Sequence, residues 1–292
     1  MRYTAHSETG RIKSIFIKPA EKAFISDLHI GQYWRGLNYL DRPDFNRACS
    51  EYLGFRELLG KKDAEIYEFP EDPSVNMDSI YCRDAAISTN RGMILCNMGK
   101  EMRKAEPAAQ KRVFEARGIP ILGSILDPGT LEGGDTAWLD ENTLAVGHTY
   151  RTNPEGIRQL KTLLSPLNVD VITVDLPHYK GPSDVFHLMS IFSPVDEKIA
   201  VVFSPLMPIP FRALLLDLGF LLVEVPESEF DSMGCNVLAL APRECLMAEG
   251  NPLTKRGLEN AGCTVLGYKG DEISVKGGGG PTCLTRPIFR YA

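Results

Sequence analysis

The sequence predicts an α/β fold built as a closed, propeller-like ring of five strand-strand-helix-strand units. Three observations carry this. The order strand, strand, helix, strand recurs along the chain. Helices open with the same punctuation, at Asn153-Pro154 and again at Asn251-Pro252. Each end of the chain holds only part of a unit, and the other end supplies the remainder. A repeat whose ends complete one shared unit closes on itself and turns its strand ends toward a central cavity.

From the N-terminus, Arg11 to Lys18 reads as a strand, Phe45 to Leu59 as a helix and Ala64 to Phe69 as a strand, and Cys283 to Tyr291 supplies this unit's first strand. Ser26 to Asp44, with His29, Tyr33, Trp34 and Tyr39 and little apolar period, reads as a long loop. In a compact domain such a loop, here about residues 26–44, is expected to act as a lid. The next unit runs from Ser79 through Met93-Ile-Leu-Cys96, a helix from about Glu101 to Ala116, and Ile119 to Ile125. In the third, Thr136 to Leu139 and Thr143 to Tyr150 are strands, Ile157, Leu160, Leu163 and Leu164 share one helix face, and Val169 to Leu176 returns as a strand. The fourth has strands at His187 to Pro194 and Lys198 to Ser204. Its helix from Pro210 carries Phe211, Leu214, Leu215 and Leu218, Gly219 stops it, and Phe220 to Val225 follows. The fifth has strands at Asn236 to Leu240 and Glu244 to Ala248, a helix from Asn251-Pro252 to Ala261, and a strand from Cys263 to Tyr268. Asn251 suits the N-cap and Pro252 the first helical position, where a missing N–H loses no bond. The expected organisation is one domain over residues 1–292.

A chain of 292 residues, 43% hydrophobic and 24% charged, has ample core for a globular protein. The net charge of -6 comes from interspersed acids and bases without a Lys/Arg block, so neither nucleic acid nor an anionic membrane is an expected partner. Met1 to Lys13 lacks the apolar core of a signal peptide, and no run reaches the length of a membrane span, which makes a cytoplasmic location the expectation. The seven cysteines show no CxxC spacing, so neither a disulfide framework nor a structural zinc site is indicated. The expected partner is a small molecule, and self-association into a homo-oligomer stays open.

Near the C-terminus, Lys276 is followed by Gly277 to Gly280, then Pro281, Thr282 and Cys283. Four glycines have no side chains to pack, so their value lies in backbone freedom and close approach. A cysteine beside such a loop is a candidate nucleophile if a base and carboxylates meet it in space. Alone, the stretch is better read as a turn before a buried structural cysteine. The candidate partners lie near the starts of the units' first strands: Asp78 and Asp84, Glu132 and Asp135, and His187. Singly, each has a structural explanation, as an ion-paired acid, a turn or a hydrogen-bonded histidine. Together they occupy matching places in the repeat and define a candidate site.

The set Arg83-Asp84, Leu131-Glu-Gly-Gly-Asp135, His187-Leu-Met-Ser190 and Gly-Gly-Gly-Gly-Pro-Thr-Cys283 resembles the guanidine-modifying enzymes of the pentein superfamily, which includes arginine deiminases, amidinotransferases and dimethylarginine dimethylaminohydrolases. The likeness covers nearly the whole chain, in order and spacing. It is most similar to the dimethylargininase branch, through His187-Leu-x-Ser190, Val146-Gly-x-x-x-Arg-Thr-Asn153 and Thr282-Cys283. The resemblance implies a five-bladed αβ-propeller of ββαβ units and a C–N hydrolase acting on a linear amidine, with no metal and no organic cofactor.

A guanidinium carbon is deactivated by resonance and positive charge, so attack needs a strong nucleophile and a site that fixes and desolvates the cation. Cys283 as thiolate would attack, and Asp84 and Glu132 would hold the guanidinium N–H groups. His187 would protonate the departing nitrogen, leaving a covalent thiouronium, and then activate water. By positional match to the family, Arg151 and Arg103 would bind the substrate's α-carboxylate, Tyr81 would stack near the guanidinium and Asp78 would contact the substrate. Two positions bear on which guanidine is used. Deiminases and amidinotransferases carry an aspartate two residues after the histidine, where this chain has Met189, as dimethylargininases also lack it. Arg83, in contrast, follows the deiminase pattern. The expected reaction is hydrolysis of an Nω-methylated arginine to citrulline and alkylamine. The alternatives are deiminase-like or amidinotransferase chemistry on another guanidine, or a non-catalytic binding protein of the same fold.

Overall fold

Residues 6–61 and 63–291 are described by a computed structural model. The polar start Met1 to Lys13 and the domain span 1–292 therefore lie partly outside the described residues. Five three-stranded sheets form the frame, each with its first strand antiparallel to the second and its second parallel to the third. An antiparallel pair needs only a tight turn, whereas a parallel pair needs a crossover, which explains why each helix sits between second and third strands.

The chain-closing sheet holds β1 (Ile12–Ile17) between β2 (Glu65–Glu68) and a C-terminal strand, Thr285–Arg290, with Ile17 opposite Thr285. Between β1 and β2 run α1 (Ala20–Ala23), α2 (Asp27–Tyr33) and α3 (Phe45–Gly60). The next sheet has β3 (Ala86–Thr89), β4 (Gly92–Leu95), α4 (Glu106–Ala116) and β5 (Ile121–Ser124). It is followed by β6 (Thr136–Asp140), β7 (Thr143–His148), α5 (Pro154–Leu164) and β8 (Asp170–Asp175). The fourth has β9 (Phe192–Asp196), β10 (Ile199–Val202), α6 (Ile209–Asp217) and β11 (Leu221–Glu224). The fifth has β12 (Leu238–Ala241), β13 (Glu244–Ala248), α7 (Pro252–Asn260) and β14 (Thr264–Tyr268), after which the C-terminal strand becomes β15.

Hydrogen bonds stitch each blade to the next around the whole ring. Ser88 donates to the Ile288 carbonyl at 3.4 Å, Trp138 Nε1 to the Ser88 carbonyl at 3.3 Å, and Leu188 N to Asp135 at 3.0 Å. Val237 N donates to Ser193 Oγ at 3.2 Å, and Arg290 to the Ala239 carbonyl at 2.8 Å. The first strands β3, β6, β9, β12 and β15 are buried almost throughout, while third strands such as β8 and β11 are partly exposed. This is the five-bladed αβ-propeller that the sequence predicts. The amphipathic faces also pack as expected, with Ile157, Leu160 and Leu164 of α5 and Phe211 and Leu215 of α6 buried.

Three local readings need correction. Ser26 to Asp44 is not loop throughout, because Ser26 caps α2 by accepting from His29 N, and Asp44 caps α3 by accepting from Arg47 N. The helix expected from Glu101 splits into a 3₁₀ turn at Glu101–Arg103 and α4 proper. Asn251 does not cap α7: its amide donates to the Ser232 and Ala248 carbonyls. The first amides of α7, on Leu253 and Thr254, go instead to the Glu229 carboxylate at 2.8 Å each, a stronger acceptor for the positive end of the helix.

Candidate active site

Every inner strand is preceded by a tight turn, and these turns deliver the site. The 3₁₀ turn Met77–Ile80 brings in Asp78 and then Tyr81 and Asp84 ahead of β3; the turn Gly133–Asp135 has Glu132 at its N-cap; the turn Leu188–Ser190 has His187 at its N-cap. Asn236 lies just before β12 and Cys283 just before β15. One cavity is lined by Asp78, Tyr81, Asp84, Arg103, Arg151, His187, Met189, Asn236, Gly277 to Gly279 and Cys283. The ring therefore brings together seven of the nine residues singled out from sequence. The exceptions are Glu132 and Asp135, both wholly buried, with Glu132 standing behind His187.

The glycine loop is shaped by close approach. A Cβ on Gly277 would run into the Tyr81 hydroxyl, one on Gly279 would lie 2.5 Å from the Tyr81 ring, and one on Gly280 2.5 Å from Asn236. Only Gly278, with φ +74°, uses glycine's backbone freedom. Tyr81 is fixed between this loop and the Ile273 carbonyl, to which its hydroxyl donates at 3.1 Å. Asn236 in turn reaches Cys283: its amide lies 3.3 Å from Sγ, while its oxygen accepts from Thr282 N at 3.0 Å and Thr282 Oγ1 at 2.8 Å. Burial, and next the Asp84 carboxylate, push the Cys283 thiol up, and the Asn236 and Thr282 contacts oppose this. These influences together favour the thiol form of Cys283.

His187 Nε2 meets Glu132 Oε2 at 2.8 Å. The other Glu132 oxygen accepts from Lys100 N at 3.0 Å and lies 3.6 Å from Arg151 Nη1. Each Glu132 oxygen thus has one close donor, and the carboxylate stands against the histidine without lining the cavity. Burial lowers the His187 proton affinity, but Asp135, Glu132 and Asp84 together outweigh it and raise its pKa to about 9. Asp135 accepts from Thr149, Thr152 and Leu188 N, which fixes the backbone beside His187. A Cβ on Gly134 would collide with His187 Nδ1 and sit 2.7 Å from Asp84 Oδ1, so the second glycine of Glu-Gly-Gly-Asp lets these two side chains meet.

Asp84 is the asymmetric member. Its Oδ2 accepts from Arg103 Nη1 at 2.6 Å, while its buried Oδ1 has no partner among the described residues. A buried carboxylate oxygen left without a donor is costly, and an N–H donor entering the cavity would satisfy it. Arg103 is almost fully engaged: besides Asp84 it donates to Glu106 through Nε and Nη2, each at 2.8 Å, and to the Tyr81 carbonyl at 2.9 Å. Four of its five N–H groups are thereby used, so its geometry suits holding Asp84 more than binding a ligand carboxylate. Arg151 is freer, with a single 3.3 Å contact to the Asp184 carbonyl besides Glu132. Asp78 is paired with Lys100 Nζ at 2.6 Å.

Asp84, Glu132 and His187 also place ligand-type atoms within 4.8 Å of one another. Their internal contacts, an imidazole–carboxylate hydrogen bond and an arginine on Asp84, suit moving a proton and holding an organic cation. The segment 26–44 contributes Leu37, Asn38 and Leu40 to the cavity, tied down by Asn38 to the Ser183 carbonyl at 2.9 Å and Leu40 N to the Lys276 carbonyl at 2.7 Å. Its aromatics face elsewhere; Tyr39 is buried beside Phe24 and Tyr81. Met189 lines the cavity, whereas Arg83 points away from it to Glu8 at 2.7 Å. Arg83 is therefore not among the residues that line the cavity. Sequence reasoning missed Asn236 and Lys100. Asn236 could have been found, since it holds in the fifth blade the place that Asp84, Glu132, His187 and Cys283 hold in the others. Lys100 sits on an irregular segment and carries no such signal.

A family model described as N,N dimethylarginine dimethylhydrolase, eukaryotic, matches residues 40–290. The N(G),N(G)-dimethylarginine dimethylaminohydrolase of Streptomyces coelicolor is 28% identical over 223 residues, covering 76% of this chain and 79% of that protein. An arginine deiminase of Listeria welshimeri is 26% identical over 283 residues, covering 80% of this chain and 67% of that protein. A solved structure of DDAH from Pseudomonas aeruginosa, a mutant complexed with citrulline, superposes with a TM-score of 0.76 at 21% identity, covering 96% of this chain and 100% of that one, and shares its fold.

Proposed function

Because the chain belongs to the N,N-dimethylarginine dimethylhydrolase family, within the pentein superfamily, and is an amidine-hydrolysing enzyme, we propose that it converts Nω-methylated arginine to citrulline and alkylamine through a thiouronium on Cys283. The observation that carries this is the convergence on one cavity of a buried thiol, a histidine held protonated, and a carboxylate with one unpaired oxygen.

The substrate's guanidinium would pair with Asp84 Oδ1 and bring its positive charge beside Cys283. That charge offsets the burial and the Asp84 field that keep the thiol protonated, so the thiol gives up its proton to bulk water when the cation arrives. The sulfur forms a bond to the guanidinium carbon. The tetrahedral intermediate expels the alkylamine, which takes a proton from His187, and the C–N bond breaks. His187, now neutral, accepts a proton from water as the hydroxide adds to the thiouronium carbon. The C–S bond then breaks, the added hydroxyl passes its proton to the departing sulfur, and the step yields citrulline and the resting thiol. Glu132 and Asp135 keep His187 charged for the first half of this cycle. Arg103 fixes Asp84, Asp78 acts with Lys100 and Tyr81 at the rim, and Arg151 receives the α-carboxylate as a planar two-pronged donor.

Met189 supports the methylated substrate. A second carboxylate at this place would favour unsubstituted nitrogens, since each methyl removes a donor and strands an acceptor; a thioether packs against methyl groups without that penalty. The test is a substrate panel of arginine, Nω-methylated arginines and agmatine, with citrulline, ammonia and alkylamines quantified separately. Methylamine release with citrulline is expected to lead, and agmatine to be a poor substrate because it offers Arg151 nothing. Equal use of agmatine would overturn the role of Arg151, and preferred deimination of arginine would overturn the substrate.

A further inference from the structure

Behind the active site, toward the other end of the propeller, three arginines converge in the interior. Arg83, Arg286 and Arg290 are each 4% exposed or less and line a second small cavity together with Glu8, Ser88 and Trp138. Their fixed contacts are mostly to neutral carbonyls: Arg286 to Arg83 at 2.7 Å, and Arg290 to Gly10 at 2.6 Å and Ala239 at 2.8 Å. Among the described residues only Glu8 is ion-paired with them, at 2.7 Å from Arg83. Three guanidinium groups against one carboxylate leave an excess of two positive charges. Buried charges are normally paired, because removing an ion from water costs several kcal/mol even after relaxation.

The donors point to the same imbalance. The Nε groups of Arg83, Arg286 and Arg290 and Nη2 of Arg290 are buried without a partner among the described residues. Burial, and then mutual repulsion, lower the Arg290 and Arg286 pKa values to about 10 each. The free space at the cluster is about 10 Å³, which excludes phosphate, and a halide, being larger than water, would enter by moving the guanidinium heads outward.

From this placement we infer that Arg83, Arg286 and Arg290 form a buried halide-class anion site, separate from the guanidine cavity and unconnected with turnover chemistry. Its occupant would act as counter-ion to the cluster. The site also abuts the machinery: Arg83 N donates to the Cys283 carbonyl at 3.2 Å, and Arg83 precedes Asp84. Anion binding therefore holds the backbone that carries both the nucleophile and the substrate's carboxylate partner.

The test compares melting temperature in potassium chloride, potassium bromide and potassium gluconate at equal ionic strength, and locates bromide by anomalous scattering in crystals of the full chain. Expected are a saturable rise in melting temperature with chloride or bromide over gluconate, and a bromide peak among the three guanidinium groups. Arg290→Met is expected to weaken the halide dependence by at least about tenfold in apparent affinity. Glu8→Gln removes the competing negative charge and is expected to tighten it, which a merely structural role would not do. Equal melting temperatures in chloride and gluconate, or the absence of a bromide peak from the cluster in the unmutated protein, would overturn the inference, whether or not the variants fold.

Discussion

At the scale of the residue, the site works by unequal treatment of similar groups. Two buried carboxylates differ in their contacts: Glu132 has one donor on each oxygen and stands against the histidine, while Asp84 keeps one oxygen open among the described residues. The raised His187 pKa sets a pH signature. Activity should persist well above the ordinary histidine range and fall as pH rises through about 9, and Glu132→Gln should move that limb to lower pH, measured as kcat/KM against pH. A limb that stays put in Glu132→Gln would separate the two residues. The same shift has a stability consequence. A histidine whose folded pKa lies above 6.5 stabilises the fold fully below pH 6.5, and this contribution fades as pH rises to about 9. The melting-temperature gap between the unmutated chain and His187→Asn should narrow over that window; a constant gap would contradict the assignment. Gly134→Ala should cost about 100-fold or more in kcat/KM with the fold retained, because its Cβ would part His187 from Asp84. Met189→Asp should shift preference toward unmethylated arginine by about 1–3 kcal/mol, read from competition between the two substrates. These residues were legible in sequence because they repeat in position, and the roles that were not legible depend on which atom of each is already engaged.

At the scale of the element, the blades were legible and their joints were not. Strand and helix periods follow local burial, and β12 reads as an apolar run because both its faces are covered, whereas β15 is buried despite Thr285, Arg286 and Arg290. Caps depend on what arrives from elsewhere in the chain. Asn153 behaves as its sequence predicts, accepting from Gly156 N at 2.8 Å and Thr130 N at 3.0 Å, whereas the equivalent Asn251 yields to Glu229, supplied from the preceding crossover. Asn153→Ala should therefore destabilise by about 1 kcal/mol, and Glu229→Ala by about 2 kcal/mol because Thr254 also donates to it, both read from denaturant unfolding. A milder effect for Glu229→Ala than for Asn251→Ala would reinstate Asn251 as the cap. The lid's helix was missed for a related reason: α2 buries only Ile30, so its sequence shows little period.

At the scale of the whole molecule, the shared blade joins the two ends of the chain into the ring, and the ring brings the starts of the inner strands to one place. Cys283 and Asp84 lie 199 positions apart in sequence but line the same cavity, each just ahead of an inner strand. Among the described residues no helix is long and apolar enough to cross a membrane. The closed ring was legible from the split unit at the termini, but the charge excess at its far end was not, since Arg83, Arg286 and Arg290 are separate in sequence and share no motif. The proposal that this cavity hydrolyses a methylated guanidine through Cys283 is tested most directly by product analysis with asymmetric and symmetric Nω-dimethylarginine. The account predicts equimolar citrulline and alkylamine, a higher kcat/KM than for ammonia release from arginine, and no turnover in a folded Cys283→Ser variant. Faster ammonia release from arginine, or turnover retained in Cys283→Ser, would contradict it.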